Sequence, residues 1–247
     1  MTNRIGWLAV VALAVAACGW TARATPVSDS MPEILPIGSE PQPQPSPAVW
    51  EGGNVRFGDV LLETATKTVS VTGWVNQTEG PIEVMVCGAK GKVHEAVLVA
   101  PVNPLDLQSA CLLAGMKGGK PMPEFGMGPP DGSAVDIVVE WEADGETKQA
   151  RAETFARNVK TGAGLPEADG AWLFTGSMFK DGEFKACVEE SLVVTYWDPY
   201  AIVNIASELG KDDEILEANP ETIPPYGTPV RILLRPAGAA AAGSAGE

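Results

Sequence analysis

Short apolar stretches separated by Gly- and Pro-rich turns make up most of the chain after its first third. Residues 134–139 and 229–234 are rich in apolar and β-branched side chains, and each follows a Pro-Pro-x-Gly turn, which predicts two strands. Residues 82–87 predict another strand. Asp144 and Gly145 form a dipeptide typical of tight hairpins, which adds a strand after residues 134–139.

Two places combine an N-capping residue with proline at the first helical position, a pattern typical of helix starts. These places are Asn103-Pro104 and Asp198-Pro199. Gly115 and Gly210 fall where a left-handed cap would end each helix after about three turns. The pattern therefore predicts two short capped helices.

The predicted elements recur at a constant offset of 95 residues. The identical pairs are Glu95 with Glu190, Val99 with Val194, Pro104 with Pro199, Gly115 with Gly210, Pro129 and Pro130 with Pro224 and Pro225, Gly132 with Gly227, Val135 with Val230, and Ile137 with Ile232. We interpret residues 49–236 as one domain with two half-repeats, each a strand, a capped short helix, a turn and a strand. A strand at residues 184–188 would complete the second unit. This arrangement predicts an α+β fold class, with helices against a mostly antiparallel or mixed sheet.

The N-terminus is typical of an exported protein. In residues 1–17, Arg4 precedes an apolar run that is too short to span a bilayer. Small residues then lead into Cys18, which resembles the lipidation site of bacterial lipoproteins, and Gly19 favours sorting to the outer membrane. We expect a lipoprotein signal peptide and a periplasmic protein anchored by lipid on Cys18. The alternative is free secretion after cleavage at Ala24.

The composition narrows the range of partners. The chain has 17 Lys and Arg residues against 32 Asp and Glu residues, a net charge of −15, which argues against nucleic-acid binding. Residues 18–48 are Pro-rich and predict an extended linker, and residues 237–247 predict a disordered tail. The expected partners are the membrane, through the N-terminal lipid, and a protein or small molecule that the sequence does not identify.

His94 is the only histidine of the chain, and it defines the candidate site. Residues 81–87 and 92–99 predict a β-hairpin, in which successive side chains point to opposite faces. One face of this hairpin carries the candidate ligands Glu83, Met85, Cys87 and His94. Glu95 falls on the opposite face.

This face allows several functions. Thiol, thioether and imidazole groups together could bind copper or another transition metal. His94 could instead lower the pKa of Cys87 for thiol-redox chemistry, or His94 and Glu95 could act as the acid–base pair of a hydrolase. The structural alternative is a half-buried sheet face whose polar groups are hydrogen-bonded, and it requires no cofactor.

Three cysteines lie beyond the predicted signal peptide and Cys18. Cys111 lies in the first predicted helix and is expected to be a buried apolar residue. Export allows a disulfide between Cys87 and Cys187, which the sequence leaves open because spacing does not show proximity.

Other catalytic patterns are absent from the sequence. It contains no phosphate-binding P-loop, dinucleotide fingerprint or nucleophile elbow. We therefore expect a binding or scaffolding domain more than an enzyme.

Six segments form a recognisable set: residues 73–77 (Gly-Trp-Val-Asn-Gln), 79–83, 92–96 (Lys-Val-His-Glu-Ala), 118–121, 174–177 and 223–230. Together they resemble the YdjY-type domain of bacterial exported proteins. The resemblance covers roughly residues 57–236, and residues 92–96 are its most recognisable part. It implies a single extracytoplasmic domain and no particular activity.

Overall fold

The computed structural model describes residues 43–168 and 170–238. This part of the chain contains sixteen β-strands and two short α-helices, joined by loops and 3₁₀ turns. In chain order the strands are β1 (Ala48–Glu51), β2 (Asn54–Phe57), β3 (Val60–Glu63), β4 (Thr68–Val75), β5 (Val84–Cys87), β6 (Ala96–Val99), β7 (Ser133–Ala143), β8 (Glu146–Arg151), β9 (Ala156–Asn158), β10 (Trp172–Phe174), β11 (Phe179–Lys180), β12 (Glu183–Phe184), β13 (Ser191–Val194), β14 (Val203–Ile205), β15 (Leu216–Ala218) and β16 (Pro229–Pro236). The helices are α1 (Pro104–Leu113) and α2 (Lys185–Glu189). The predicted signal peptide, Cys18 and most of the predicted tail lie outside the described residues.

Eight of the strands close into a barrel. The ring runs β4-β16-β7-β10-β14-β13-β5-β6 and returns to β4, where Trp74 pairs with Val99. Six neighbouring pairs are antiparallel, while β13 with β14 and β5 with β6 are parallel. At the β4–β6 seam a Cβ atom on Gly73 would lie 2.2 Å from the carbonyl oxygen of Val99, so this close approach requires glycine.

The remaining strands extend the barrel or form small ladders beside it. Strands β1 to β3 continue from β4 as an antiparallel meander, and β8 pairs with β7. Two further two-stranded ladders join β11 to β12 and β9 to β15. The described part of the chain is thus mostly β with few helices, which agrees broadly with the predicted α+β class. The observed sheet closes into a barrel, which the prediction did not include.

Large apolar side chains fill the core, as expected of an eight-stranded barrel, whose interior is just wide enough for side chains. The largest of those with less than 2% exposure are Trp172, Trp197, Phe155 and Phe174. A second, smaller cluster of buried residues consists of Val84, Cys87, Ala96, Val99, Val194 and Ala201.

Helix α1 has the predicted ends. The Asn103 side chain accepts a hydrogen bond from the Leu105 amide (3.0 Å) and caps the N-terminus. Gly115 has φ +96° and donates to the Leu112 carbonyl, while Met116 donates to Cys111, which is the Schellman pattern. The predicted strands at residues 134–139 and 229–234 and the hairpin through Asp144 are also confirmed.

The helix predicted after Asp198 is wrong. Asp198 does accept a hydrogen bond from the Tyr200 amide (2.7 Å), but the chain then enters strand β14. The hydroxyl of Ser177 donates to the Tyr200 carbonyl (2.6 Å), and the Thr175 amide donates to the Ile202 carbonyl, so these acceptors are used by the loop after β10. The strand predicted at residues 184–188 is largely helix α2. The two predicted half-repeats therefore do not share a backbone at these elements.

The hairpin predicted between residues 81–87 and 92–99 is also wrong. Strands β5 and β6 are parallel, with Val84 opposite Ala96, and β13 is the antiparallel partner of β5. The loop between them is bound to the end of α2, because Gly88 donates to the Glu190 carbonyl (2.8 Å). The chain then reverses through a 3₁₀ turn, Val93–Glu95, before β6.

The last part of the predicted linker is bound to the N-terminus of α1. The Ser46 amide and hydroxyl donate to the two carboxylate oxygens of Asp106, at 2.6 and 2.7 Å. Asn103 also donates to the Gln44 carbonyl (2.8 Å). Neither helix of the described residues is long and apolar enough to cross a membrane.

Candidate functional site

The 3₁₀ turn Val93–Glu95 brings together several of the predicted site residues. Asn76 holds this turn, because its side-chain amide donates to the carbonyls of Val93 (2.6 Å) and Ala96 (2.9 Å). The His94 side chain is 73% exposed, and its Nε2 lies 3.3 Å from Oε1 of Glu95. His94 and Glu95 are therefore neighbours at the surface, whereas the hairpin register predicted opposite faces.

Glu83, Lys92 and Glu95 form a polar cluster beside this turn. The Glu83 amide donates to the Glu95 carbonyl (3.2 Å), so the two glutamates lie opposite each other where β5 and β6 begin. Lys92 Nζ donates to Glu83 Oε2 at 2.6 Å. Burial opposes the charge of Lys92, but the hydrogen bond and the charge of Glu83 raise its pKa above the ordinary value. Lys92 is therefore a fixed cation among carboxyl groups.

Asp198 approaches this cluster from the loop after β13. Asp198 is only 4% exposed. Burial raises the pKa of its carboxyl group, although the hydrogen bond from the Tyr200 amide and the charge of Lys92 act in the opposite direction. A narrow groove, too small to admit a water molecule, lies between these groups and two aromatic side chains. It is lined by Glu83, Val84, Lys92, Phe125, Val194, Tyr196 and Asp198.

A larger cleft lies next to this groove, and Phe125 lines both. We call it the aromatic cleft. Its volume is about 540 Å³, and its lining consists of Pro123, Glu124, Phe125, Met178, Lys180, Pro199 and Tyr200. The Phe125 and Tyr200 rings meet edge to face, with centroids 5.3 Å apart at 86°. Lys180 Nζ donates to the Tyr200 hydroxyl at 3.1 Å.

The remaining predicted ligands, Met85 and Cys87, are fully buried. Strand β5 has irregular register against β13, so Met85 packs in the main core while Cys87 packs in the smaller cluster. Burial, and then the charge of Glu190, raises the pKa of the Cys87 thiol to about 12. The predicted one-face ligand set is thus wrong, because Cys87 is enclosed and His94 faces solvent.

The described residues contain no group of three or more His, Cys, Asp or Glu side chains placed to hold a metal ion. Cys87, Cys111 and Cys187 are all free thiols, and Cys111 is buried in α1 as predicted. The geometry gives no particular support to a thiol–imidazole pair.

Sequence reasoning missed Lys92, Phe125, Lys180, Asp198 and Tyr200 as site residues. Phe125 and Lys180 lie outside the apolar patterns that predicted the main elements. Asp198 was interpreted as the N-cap of a helix. The one available signal was the segment at residues 92–96, which contributes Lys92 and Glu95 to the cluster. Segments that carry the family resemblance do hold the site, since Asn76 fixes the turn and Ser177 fixes Tyr200.

Comparisons with known proteins agree with that resemblance. The family model described as the YdjY domain matches residues 60–235. No curated protein and no solved structure gives a significant match. The matched region begins at β3 and reaches the last residues of β16, so it includes the whole barrel and every residue of the candidate site. The chain belongs to the YdjY domain family.

Proposed function

We propose that the protein is an exported lipoprotein, anchored through Cys18, whose YdjY domain binds a small ligand in the aromatic cleft. The observation that carries the proposal of binding is the cleft itself, formed by Phe125 and Tyr200 with Lys180 at its side. Its volume of about 540 Å³ falls within the range of small-molecule sites, roughly 300–1,000 Å³. The anchoring part of the proposal is supported by the sequence before Cys18.

The walls of the cleft support a preformed site. The Ser177 hydroxyl binds the Tyr200 carbonyl at 2.6 Å and accepts from the Ala186 amide at 3.1 Å, which ties Tyr200 to α2. Phe125 packs against the Tyr200 ring. A site whose rings are already in place loses less conformational entropy when a ligand binds.

The charges suggest the ligand class. Lys180 forms no ion pair with a carboxylate among the residues that the structure describes, and its ammonium lies 5.7 Å from the centre of the Tyr200 ring. In a chain with a net charge of −15, this cation favours a ligand that combines an apolar ring with an anionic group. Glu124, on the same lining, disfavours a second negative charge.

Benzoate is a simple probe of the cleft. We expect NMR titration of the purified protein with benzoate to shift the ring resonances of Phe125 and Tyr200, and Lys180→Gln to weaken that binding at least threefold. Lys160→Gln is the matched control, because Lys160 is exposed and does not line the cleft. Unchanged Phe125 and Tyr200 resonances, or equal binding by Lys180→Gln and wild type, would refute this ligand class.

Anchoring is tested separately on the full chain. We expect the exported protein to enter the detergent phase on partitioning and to carry fatty acid on its N-terminal peptide by mass spectrometry, and Cys18→Ser to abolish both. An N-terminus at Thr25 without lipid would show free secretion.

A second candidate function, acid–base hydrolysis, is favoured by the contact between His94 Nε2 and Glu95 Oε1 at 3.3 Å. Hydrolysis of p-nitrophenyl acetate that falls at least tenfold in both His94→Ala and Glu95→Gln would support it. Equal rates in the wild type and both variants would exclude this pair as the source of the activity.

A further inference from the structure

Glu83 and Glu95 lie opposite each other where β5 and β6 begin, and we call their side chains the carboxyl pair. Their placement follows from the parallel pairing of β5 and β6, in which Val84 lies opposite Ala96. The Glu83 amide continues this ladder to the Glu95 carbonyl at 3.2 Å. Since residues opposite each other on neighbouring strands project to the same face, the two side chains meet.

The donors around the carboxyl pair are unevenly distributed. Lys92 Nζ binds Glu83 Oε2 at 2.6 Å, and His94 Nε2 lies 3.3 Å from Glu95 Oε1. The other oxygen of Glu95, Oε2, is buried and has no donor among the described residues. A buried carboxylate oxygen without a donor is costly, and two neighbouring ionised carboxylates repel each other. One proton placed between them removes both problems.

We propose that Glu83 and Glu95 share one proton at mildly acidic pH, where an isolated glutamate is already ionised, and that this proton fastens the turn Val93–Glu95 to strand β5. The proton resides on Glu95 and is donated to Glu83, which keeps its negative charge beside Lys92. This inference concerns the turn and does not depend on the proposed ligand of the aromatic cleft.

The direction of the Glu95 titration agrees with this arrangement. Burial foremost, and then the charge and hydrogen bond of Glu83, raise the pKa of Glu95 above 4.5, while Lys92 and His94 act in the opposite direction. The other charged or titratable groups that face Lys92 from the loop after β13 are Asp198 and Tyr196. Two carboxyl groups in addition to Glu95 therefore surround one lysine, which favours the protonated form of Glu95.

The folded state binds this proton more tightly than the unfolded state. The stability that the proton supplies is therefore complete below pH 4.5 and is lost as the pH rises through the higher pKa of the folded protein. Asn76 still holds the turn through the carbonyls of Val93 and Ala96, so loss of the proton loosens the turn locally and leaves the barrel closed.

Titration of the carboxyl carbons by NMR tests the proposal. We expect a Glu95 midpoint above 4.5 in the wild type, a midpoint closer to 4.5 in Glu83→Gln, which removes the neighbouring charge, and a higher midpoint in Lys92→Met. A Glu95 midpoint at or below 4.5 in the wild type overturns the shared proton.

Hydrogen exchange of the Glu83 amide tests the consequence for the turn. In the wild type, its protection should fall as the pH rises through the Glu95 midpoint. Glu95→Gln, which carries a donor at every pH, should remove this dependence, whereas Glu79→Gln, on an exposed turn, should leave it unchanged. If Glu95→Gln keeps the wild-type dependence, the carboxyl pair does not fasten the turn.

Discussion

The Glu190 carboxylate accepts a hydrogen bond from the backbone amide of Lys90, which lies 100 residues earlier in the chain (2.7 Å). Glu190 follows α2 in a left-handed conformation, with φ 49°, and its carbonyl binds the Gly88 amide. The loop that leads into the 3₁₀ turn of the candidate site is thus attached to the end of α2.

Gly88→Ala tests this attachment. The new Cβ would lie 2.3 Å from Glu190 Oε2 and 2.8 Å from Glu190 Cβ, so we expect destabilisation of about 1–3 kcal/mol in urea unfolding. Adding Glu190→Gly should recover part of this loss, because it removes the clashing atoms and suits the left-handed backbone. Fully additive effects of the two substitutions would contradict the predicted clash.

Asp106→Ala should release the linker from the body. Asp106 is 2% exposed and accepts both hydrogen bonds of Ser46, so its loss should cost about 1–3 kcal/mol. Limited proteolysis should then cut more rapidly near Ser46. Ser46→Ala removes only the hydroxyl bond and should have a smaller effect, and equal cleavage of Asp106→Ala and wild type would show that the linker is held elsewhere.

Asp136 should make the protein sensitive to acid. Burial raises its pKa, but the hydrogen bonds from the Gly170 amide and the Arg151 guanidinium, with the Arg151 charge, lower it below 3.8 overall. This contribution to stability is present above pH 3.8 and is lost as the pH falls through the folded value. Thermal unfolding between pH 2 and 7 should therefore show a smaller loss on acidification in Asp136→Asn, which is less stable at pH 7 by about 1–3 kcal/mol. Asp59→Asn, on an exposed turn, should follow the wild type.

Cys87 should be inert to iodoacetamide in the folded protein. The thiol is fully buried and its pKa is raised to about 12, so the reactive thiolate is scarce at pH 8. Mass spectrometry should find Cys87 modified only after unfolding, with Cys187, which is partly exposed, reacting first. Rapid labelling of native Cys87 would instead favour the thiol-redox alternative.

Local chemistry allowed parts of the fold to be predicted from the sequence. The caps of α1 at Asn103 and Gly115 depend on side-chain and backbone preferences within a few residues, and so does the turn at Asp144 and Gly145. The same capping signal at Asp198 failed, because its following segment pairs with β10 and β13. That pairing joins distant parts of the chain and leaves no local pattern.

The candidate site was predicted in part for the same reason. Glu83, His94 and Glu95 do lie together, but through parallel strands and not through the hairpin. Alternation along a strand indicates which residues share a face, and it does not identify the neighbouring strand. Phe125 and Tyr200 meet only when two separate loops pack, so the aromatic cleft could not be predicted from local sequence patterns.

The position of β16 constrains how the protein acquires its fold. This strand lies between β4 and β7, which are joined to each other only through it or around the rest of the ring. A growing polypeptide cannot complete the barrel until residues 229–236 have been synthesised. Until then, earlier strands have unpaired edges. The edges that β4 and β7 present to β16 therefore remain open to other strand pairings until this last strand is made.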